Sequence, residues 1–301
     1  MGTEAGAGPG ELVSGGCCGQ SPGAVLVWGL LPVTAGVVRP MHYLVRRAGH
    51  IAVEHTVEDA AFAGATLAHL AEAASLLSAY FGLPEPFAPI RAILTPSRLE
   101  FERCVLQVLG VAIEIPSHPR RVAQPQGRNL AILSPRAWES VNTYTPGCYW
   151  RLLLHEVVHM VEEHLSPDME AVPRWWSEGL AMYLSEQWKY EDEERLDVLK
   201  GLAGGNVPPL SRLHGRGNLP REVVELCYIW GWTVVMFVDQ HYGRAGIRRV
   251  VQGCGDGDVF ALLGTSVEET ERAWREWLRG FSEAFADSYP RTALASLGGM
   301  P

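Results

Sequence analysis

Residues 149 to 165 read YWRLLLHEVVHMVEEHL, and residues 173 to 185 read PRWWSEGLAMYLS. The first stretch has helical spacing: Thr145 and Pro146 suit its start, Leu152 to Leu154 and Val157 to Val161 its body, and Ser166 with Pro167 its end. On such a helix His155 and His159 lie one turn apart and about 40° apart around the axis, so both imidazoles can reach one ion. Glu156 sits beside them, where a carboxylate can approach a water held by that ion without being a ligand. The second stretch begins another helix after a short turn, and helices joined this way pack antiparallel. Measured from the turn, His159 lies about 9 Å back along the first helix and Glu178 about 7.5 Å along the second. The three groups therefore meet at one level. Gly179, next to Glu178, would permit the close contact between these two helices that a shared ion with bonds of roughly 2 Å demands.

Before this pair the pattern is mixed. A short strand at His42–Val45 precedes an Ala-rich helical run from Val57 to Phe81, stopped by Gly82 and Pro84. Pro89–Leu94 reads as β-prone, Ser97–Leu109 as a helix ending at Gly110, and Val111–Ile115 and Leu130–Leu133 as two strands separated by a polar loop. After the pair the chain reads as almost wholly helical. Pro173 and Pro220 suit first helical positions, Gly243 a stop, and Ser266 with Glu269 a capping box for the last helix. The expected class is α+β: a small mixed sheet in the N-terminal half and a mainly helical C-terminal half, with a cleft between a strand-containing lobe (41–148) and a helical lobe (149–288). The tail 289–301 is rich in small residues and is expected to fray.

The first forty residues hold ten of the 32 glycines and an apolar run from Ala24 to Val38, broken by Pro32 and Thr34. Fifteen residues are short for a membrane span, and only Glu4 and Glu11 precede the run where a signal peptide carries positive charge. Residues 1–40 read as a flexible leader or poorly ordered arm; residues 24–38 leave a weak membrane anchor or an atypical export signal as the alternative. The formal net charge of −9 disfavours a nucleic-acid partner, because phosphate contacts need a concentrated positive face. Cys17, Cys18, Cys104, Cys148, Cys227 and Cys254 are scattered, with no disulfide-framework or zinc-site spacing. They do not fix the compartment, and fit a reducing cytoplasm somewhat better than secretion.

At His155-Glu156-x-x-His159, followed after eighteen residues by Glu178-Gly179-Leu180-Ala181, the chain resembles the gluzincin metallopeptidases, which include thermolysin and the aminopeptidase-N-like enzymes. Tyr228-Ile229-Trp230-Gly231 is similar to the Tyr-x-x-Gly of a later helix that carries a transition-state-stabilising tyrosine in those enzymes. The small peptidase MA-like proteins are similar in size and in their closing pattern, here Phe237 to Gly243 and then Glu271, Trp274 and Trp277. The likeness covers residues 41 to 285, with its specific motifs in the zinc-helix half. It implies a zincin-like metallopeptidase fold, one Zn²⁺ per chain held by His155, His159 and Glu178, Glu156 as general base, and Tyr228 as oxyanion donor. The implied partner is a peptide or protein substrate, aligned by the strand Asn129–Ser134.

The departures are specific. No Gly-x-Met-Glu-Asn-like strand lies between Val111 and Trp150, so the aminopeptidase mode of reading a free amine is unsupported. Where thermolysin-like enzymes place an Asp four residues after the ligand Glu, this chain has Met182, and a partner for a ligand imidazole must come from elsewhere, Ser177 or a backbone carbonyl being candidates. A third His six residues after His159 is absent, Leu165 standing there, which discards the metzincin pattern. Each residue also has an ordinary reading: a hydrogen-bonded helical histidine pair, a carboxylate near a helix N-terminus for Glu178, a core tyrosine for Tyr228, and core packing for Trp175 and Trp176. Glu162, Glu163, Asp168, Glu170 and Glu191 to Glu194 read as solvated helix faces, and His164, His214 and His241 as ordinary surface or core histidines. Two further functional classes stand beside the peptidase: a catalytically inactive zinc-binding interaction module of the same fold, and a metal-free peptide-binding protein.

Overall fold

The computed structural model describes residues 42–288 apart from 85–86, 141, 143, 167, 191–196, 199–200, 203–204, 214–218 and 255–257. The readings made above for residues 1–40, Pro167, the acidic run 191–194, His214 and the 289–301 tail lie outside the described residues.

Five strands form one mixed sheet: β1 (Leu44–Ala48), β2 (Ile51–His55), β3 (Ile90–Thr95), β4 (Ala123–Gln126) and β5 (Asn129–Leu133), in the order β1-β2-β3-β5-β4. Both outer pairs are antiparallel hairpins, and the central β2/β3 and β3/β5 pairs are parallel. Each hairpin closes through two residues, Gly49-His50 and Gly127-Arg128, whose glycines have φ of +56° and +57°. A left-handed first turn residue favours glycine there. Helix α1 (Ala60–Phe81) carries the parallel crossover from β2 to β3. Among the described residues it alone is long and apolar enough to cross a membrane by length and composition. Its Ala63, Thr66, Leu70, Ala73, Ala74, Leu77, Ser78 and Phe81 form one buried stripe at helical spacing, the mark of a helix laid on a core.

The strands alternate between two apolar clusters. Val53, Ala92, Leu94, Leu130 and Ile132 face the main core, while Ile93, Ala131 and Leu133 face a smaller one with Phe101, Cys104, Val105 and Val122. Helix α2 (Arg98–Arg103), continued by a wider turn over Cys104–Val108, supplies that second cluster.

Three sequence expectations for this half are corrected. The first strand is Leu44–Ala48, not His42–Val45, and it pairs with β2, which the pattern did not reveal. Val111–Ile115 forms no strand; Val111 and Ile113 pack on the smaller cluster instead. The loop that was expected to separate two strands contains β4, because the Gly127-Arg128 turn brings 123–126 beside its sequence neighbour β5 at little loop-closure cost. Consequently β5 is hydrogen-bonded on both sides, and Asn129–Ser134 cannot offer an edge to an extended peptide; β4 is the edge strand on this side of the sheet and β1 on the other.

The helical half contains α3 (Pro146–Leu165), α4 (Arg174–Leu184), α5 (Gln187–Tyr190), α6 (Leu210–Leu213), α7 (Arg221–Gly253), α8 (Val259–Leu262) and α9 (Val267–Ser288). Gly243, at φ +63°, breaks the helical path of α7. Pro173 and Pro220 stand one residue earlier than expected, as caps in extended conformation whose carbonyls accept from Trp176 and Ser177, and from Val223 and Val224. At α9 the Ser266/Glu269 capping box forms in both directions. The main apolar cluster is continuous across residue 148, joining Val53, Leu94 and Ile132 of the sheet to Leu153, Val157, Trp175, Trp176 and Val234 of the helices. The described residues form one compact unit.

Candidate metal centre

Helix α3 starts on Thr145, whose side chain accepts from Cys148 N at 3.0 Å, with Pro146 at its first position. It ends at Ser166, whose N–H reaches Glu162 O. Leu153, Val157, Val158 and Val161 fix one face in the core and turn His155 and His159 toward α4. Their Nε2 atoms stand 3.1 Å apart.

Glu178 approaches from α4, its Oε2 lying 3.5 Å from each Nε2. Four ligands on bonds of about 2.0–2.1 Å at tetrahedral angles lie about 3.3–3.4 Å from one another. The three separations straddle that edge. Among the described residues this is the one His/Cys/Asp/Glu group whose ligand atoms converge in this way. The remaining polar atoms fix the tautomers. His155 Nδ1 donates to Gln187 Oε1 at 2.6 Å, and His159 Nδ1 donates to Ser177 Oγ at 3.1 Å, which directs both Nε2 lone pairs inward. Glu178 Oε1 accepts from Arg174 at 3.0 Å, but buried Oε2 has no donor. Two lone pairs and an unpaired carboxylate oxygen facing one another are suited to a cation, so the donor set fits zinc.

The electrostatics agree. Burial disfavours charge on His159, yet Glu162 and Glu178 outweigh it and push its pKa up to about 10. Burial would raise Glu178, but the neighbouring imidazoles of His155 and His159 hold it well below the ordinary carboxylate range. The cluster thus attracts positive charge. Glu156, outside the ligand set, is shifted upward, first by burial and then by Glu178, against the two imidazoles. His155, Glu156 and Glu178 are only 8, 7 and 8% exposed, so access to the centre is narrow.

Gly179 does permit a close helix contact, but with α7, a correction to the expected pairing with α3. A Cβ on Gly179 would lie 2.4 Å from Gly231 C, and one on Gly231 2.3 Å from Trp175 O. This reciprocal backbone contact brings Tyr228, one turn before Gly231, close enough to Glu178 and Arg174 for their charges to act on it. The Tyr228 hydroxyl is pushed well up, first by burial and then by the Glu178 charge. Trp175 and Trp176 are fully buried core residues, and Met182 is also buried.

Of the acidic residues read as solvated, Asp168 and Glu170 are exposed, but Glu162 is a correction: it is 1% exposed and accepts from Ser177 Oγ at 2.5 Å. The apolar residues around it turn this side of α3 into the core. Glu163 is half-buried and accepts from Gly127 N at 2.7 Å, tying the β4–β5 turn to α3. Sequence reasoning named Ser177 and missed Gln187, Glu162 and Arg174. Arg174 stands four residues before Glu178 and Glu162 three after His159, both same-face spacings; Gln187, on the far side of a turn, has no such signal. Among the described residues, Cys104, Cys148 and Cys227 carry free thiols. No protein-family model matches the chain, and no curated protein matches it.

Proposed function

We propose that the chain is a zinc-dependent metallopeptidase with a zincin-like, gluzincin fold of the peptidase MA-like kind. The supporting observation is the convergence of His155 Nε2, His159 Nε2 and Glu178 Oε2 at 3.1 to 3.5 Å, with Glu156 beside them and free of the ligand set. These three residues would hold one zinc ion per chain. Bound zinc supplies a Lewis acid that polarises a peptide carbonyl and makes water acidic near neutral pH. Glu156 takes the proton of the attacking water and returns it to the leaving amine. Tyr228, close to Arg174 and Glu178, donates its hydroxyl hydrogen to the developing oxyanion. A peptide substrate aligns along the outer edge of β4, in place of the interior strand β5.

A second reading, a zinc-binding interaction module without turnover, is favoured by the near-enclosure of His155, Glu156 and Glu178. Metal analysis with casein or peptide-library cleavage, on wild type and Glu156→Gln, separates the two. The peptidase reading expects zinc in both proteins and cleavage lowered by ~10²–10⁴-fold in the variant. Zinc in both with cleavage in neither supports the module, and absence of zinc removes both readings.

A further inference from the structure

The two candidate ligand imidazoles are supported differently. His155 leans on a neutral amide, Gln187. His159 leans on a hydroxyl that is itself backed by a carboxylate: His159 Nδ1 to Ser177 Oγ is 3.1 Å, and Ser177 Oγ to Glu162 Oε2 is 2.5 Å. Glu162 Oε2 lies 3.9 Å from His159 Nδ1, too far for a direct hydrogen bond, so Ser177 is the bridge. Glu162 is 1% exposed, and its Oε1 is buried with no hydrogen-bond partner. A carboxylate in such a place costs stability unless its charge serves something nearby.

We infer that Glu162 is a positioning residue that acts on the metal centre through the Ser177 hydroxyl, a Glu–Ser–His relay built from both helices. This rests on the zinc reading proposed above and adds to it the group that tunes His159. The Ser177 hydroxyl has one hydrogen, and the short contact commits it to Glu162. Its lone pair therefore accepts from His159 Nδ1–H, so that the neutral imidazole which binds a cation carries its lone pair on Nε2, pointing at Glu178. The buried negative charge strengthens that chain and makes the imidazole a better donor to a cation, as carboxylates behind metal-bound histidines do. Helix α4 thereby contributes adjacent residues to two layers of the site, Ser177 to the relay and Glu178 to the ligand set.

The test uses the full-length chain as wild type, Glu162→Gln, Ser177→Ala, the double variant and Ser177→Thr. Zn²⁺ affinity is measured by competition with a chromogenic chelator, and thermal melting on the metal-free proteins. The relay predicts that each of Glu162→Gln and Ser177→Ala weakens Zn²⁺ binding by ~10–100-fold. Because the residues act in series, the double variant loses no more than the weaker-binding single one. Ser177→Thr, which keeps the hydroxyl, stays within a few-fold of wild type, and metal-free melting is not lowered by Glu162→Gln. Wild-type affinity in both single variants, additive losses in the double, or losses that follow metal-free melting overturn the relay while leaving the zinc reading intact. A wild-type chain that binds no Zn²⁺ overturns both. If Glu162→Gln does not fold, Ser177→Ala against Ser177→Thr decides alone.

Discussion

The sheet half and the helical half each bury a carboxylate, and they treat it in opposite ways. Asp59, at the entrance to α1, is fully buried: Oδ1 accepts from Ser134 Oγ at 2.6 Å and Arg136 Nε at 2.8 Å, and Oδ2 from Thr56 Oγ1 at 2.8 Å. Both oxygens are satisfied, and the three donors tie the β2 end to the β5 end. Glu178 has Arg174 on one oxygen and no donor on the other, which faces two nitrogen lone pairs. A satisfied buried carboxylate holds a fold together; one left open among other acceptors marks a place for a positive charge.

Removing each carboxylate tests that contrast. Glu178→Ala is expected to have the largest effect, reducing zinc retained after dialysis from about one per chain to none, because two imidazoles alone do not complete such a site. Its metal-free melting should change less, since Oε2 makes no hydrogen bond and only the contact of Oε1 with the part-exposed Arg174 is lost. Asp59→Asn should do the reverse, retaining zinc while losing ~1–3 kcal/mol in urea unfolding of the metal-free protein. Loss of zinc in Asp59→Asn at native temperature, or a large stability loss in Glu178→Ala, would erase the distinction.

A comparable structural effect is expected at the helix crossing. Gly231→Ala places a methyl 2.3 Å from Trp175 O, where backbone must move. Denaturant unfolding should register ~1–3 kcal/mol of destabilisation, as for other overpacked sites, and zinc affinity should fall with it because α4 carries Glu178. An unchanged unfolding midpoint would contradict so close an approach.

A smaller effect follows from titration of Asp59. Burial raises its pKa, but Arg136, Ser134 and Thr56 outweigh burial and hold it below the ordinary 3.8. A depressed folded-state pKa means that the stabilisation is complete above about pH 4 and is lost as pH falls through the folded value. Acid unfolding of the metal-free protein should therefore be less steep in Asp59→Asn than in wild type; identical acid profiles would remove Asp59 as a stabilising group.

The helical half was the more legible in sequence. Helix α3 is bounded by Thr145, Pro146 and Ser166, local signals that need no tertiary partner, and same-side spacing sufficed to bring His155, His159 and Glu178 to one level. The sheet half was less so, because strand pairing is decided by what lies alongside. Val111–Ile115 alternates well but packs Val111 and Ile113 on the smaller apolar cluster, whereas the polar Ala123–Gln126 is paired by its turn. Gly179 signalled a close contact without saying with which helix. Glu162 looked solvated because two neighbouring acids on a helix give no hint that one of them faces inward.

The most direct test of the metal centre is X-ray absorption at the zinc edge on the full-length chain loaded with one equivalent of Zn²⁺. The proposed site gives nitrogen and oxygen neighbours at about 2.0–2.1 Å, with the outer scattering of two imidazoles and no sulfur. Sulfur at about 2.3 Å, or outer scattering from fewer than two imidazoles, would move the ion away from His155, His159 and Glu178.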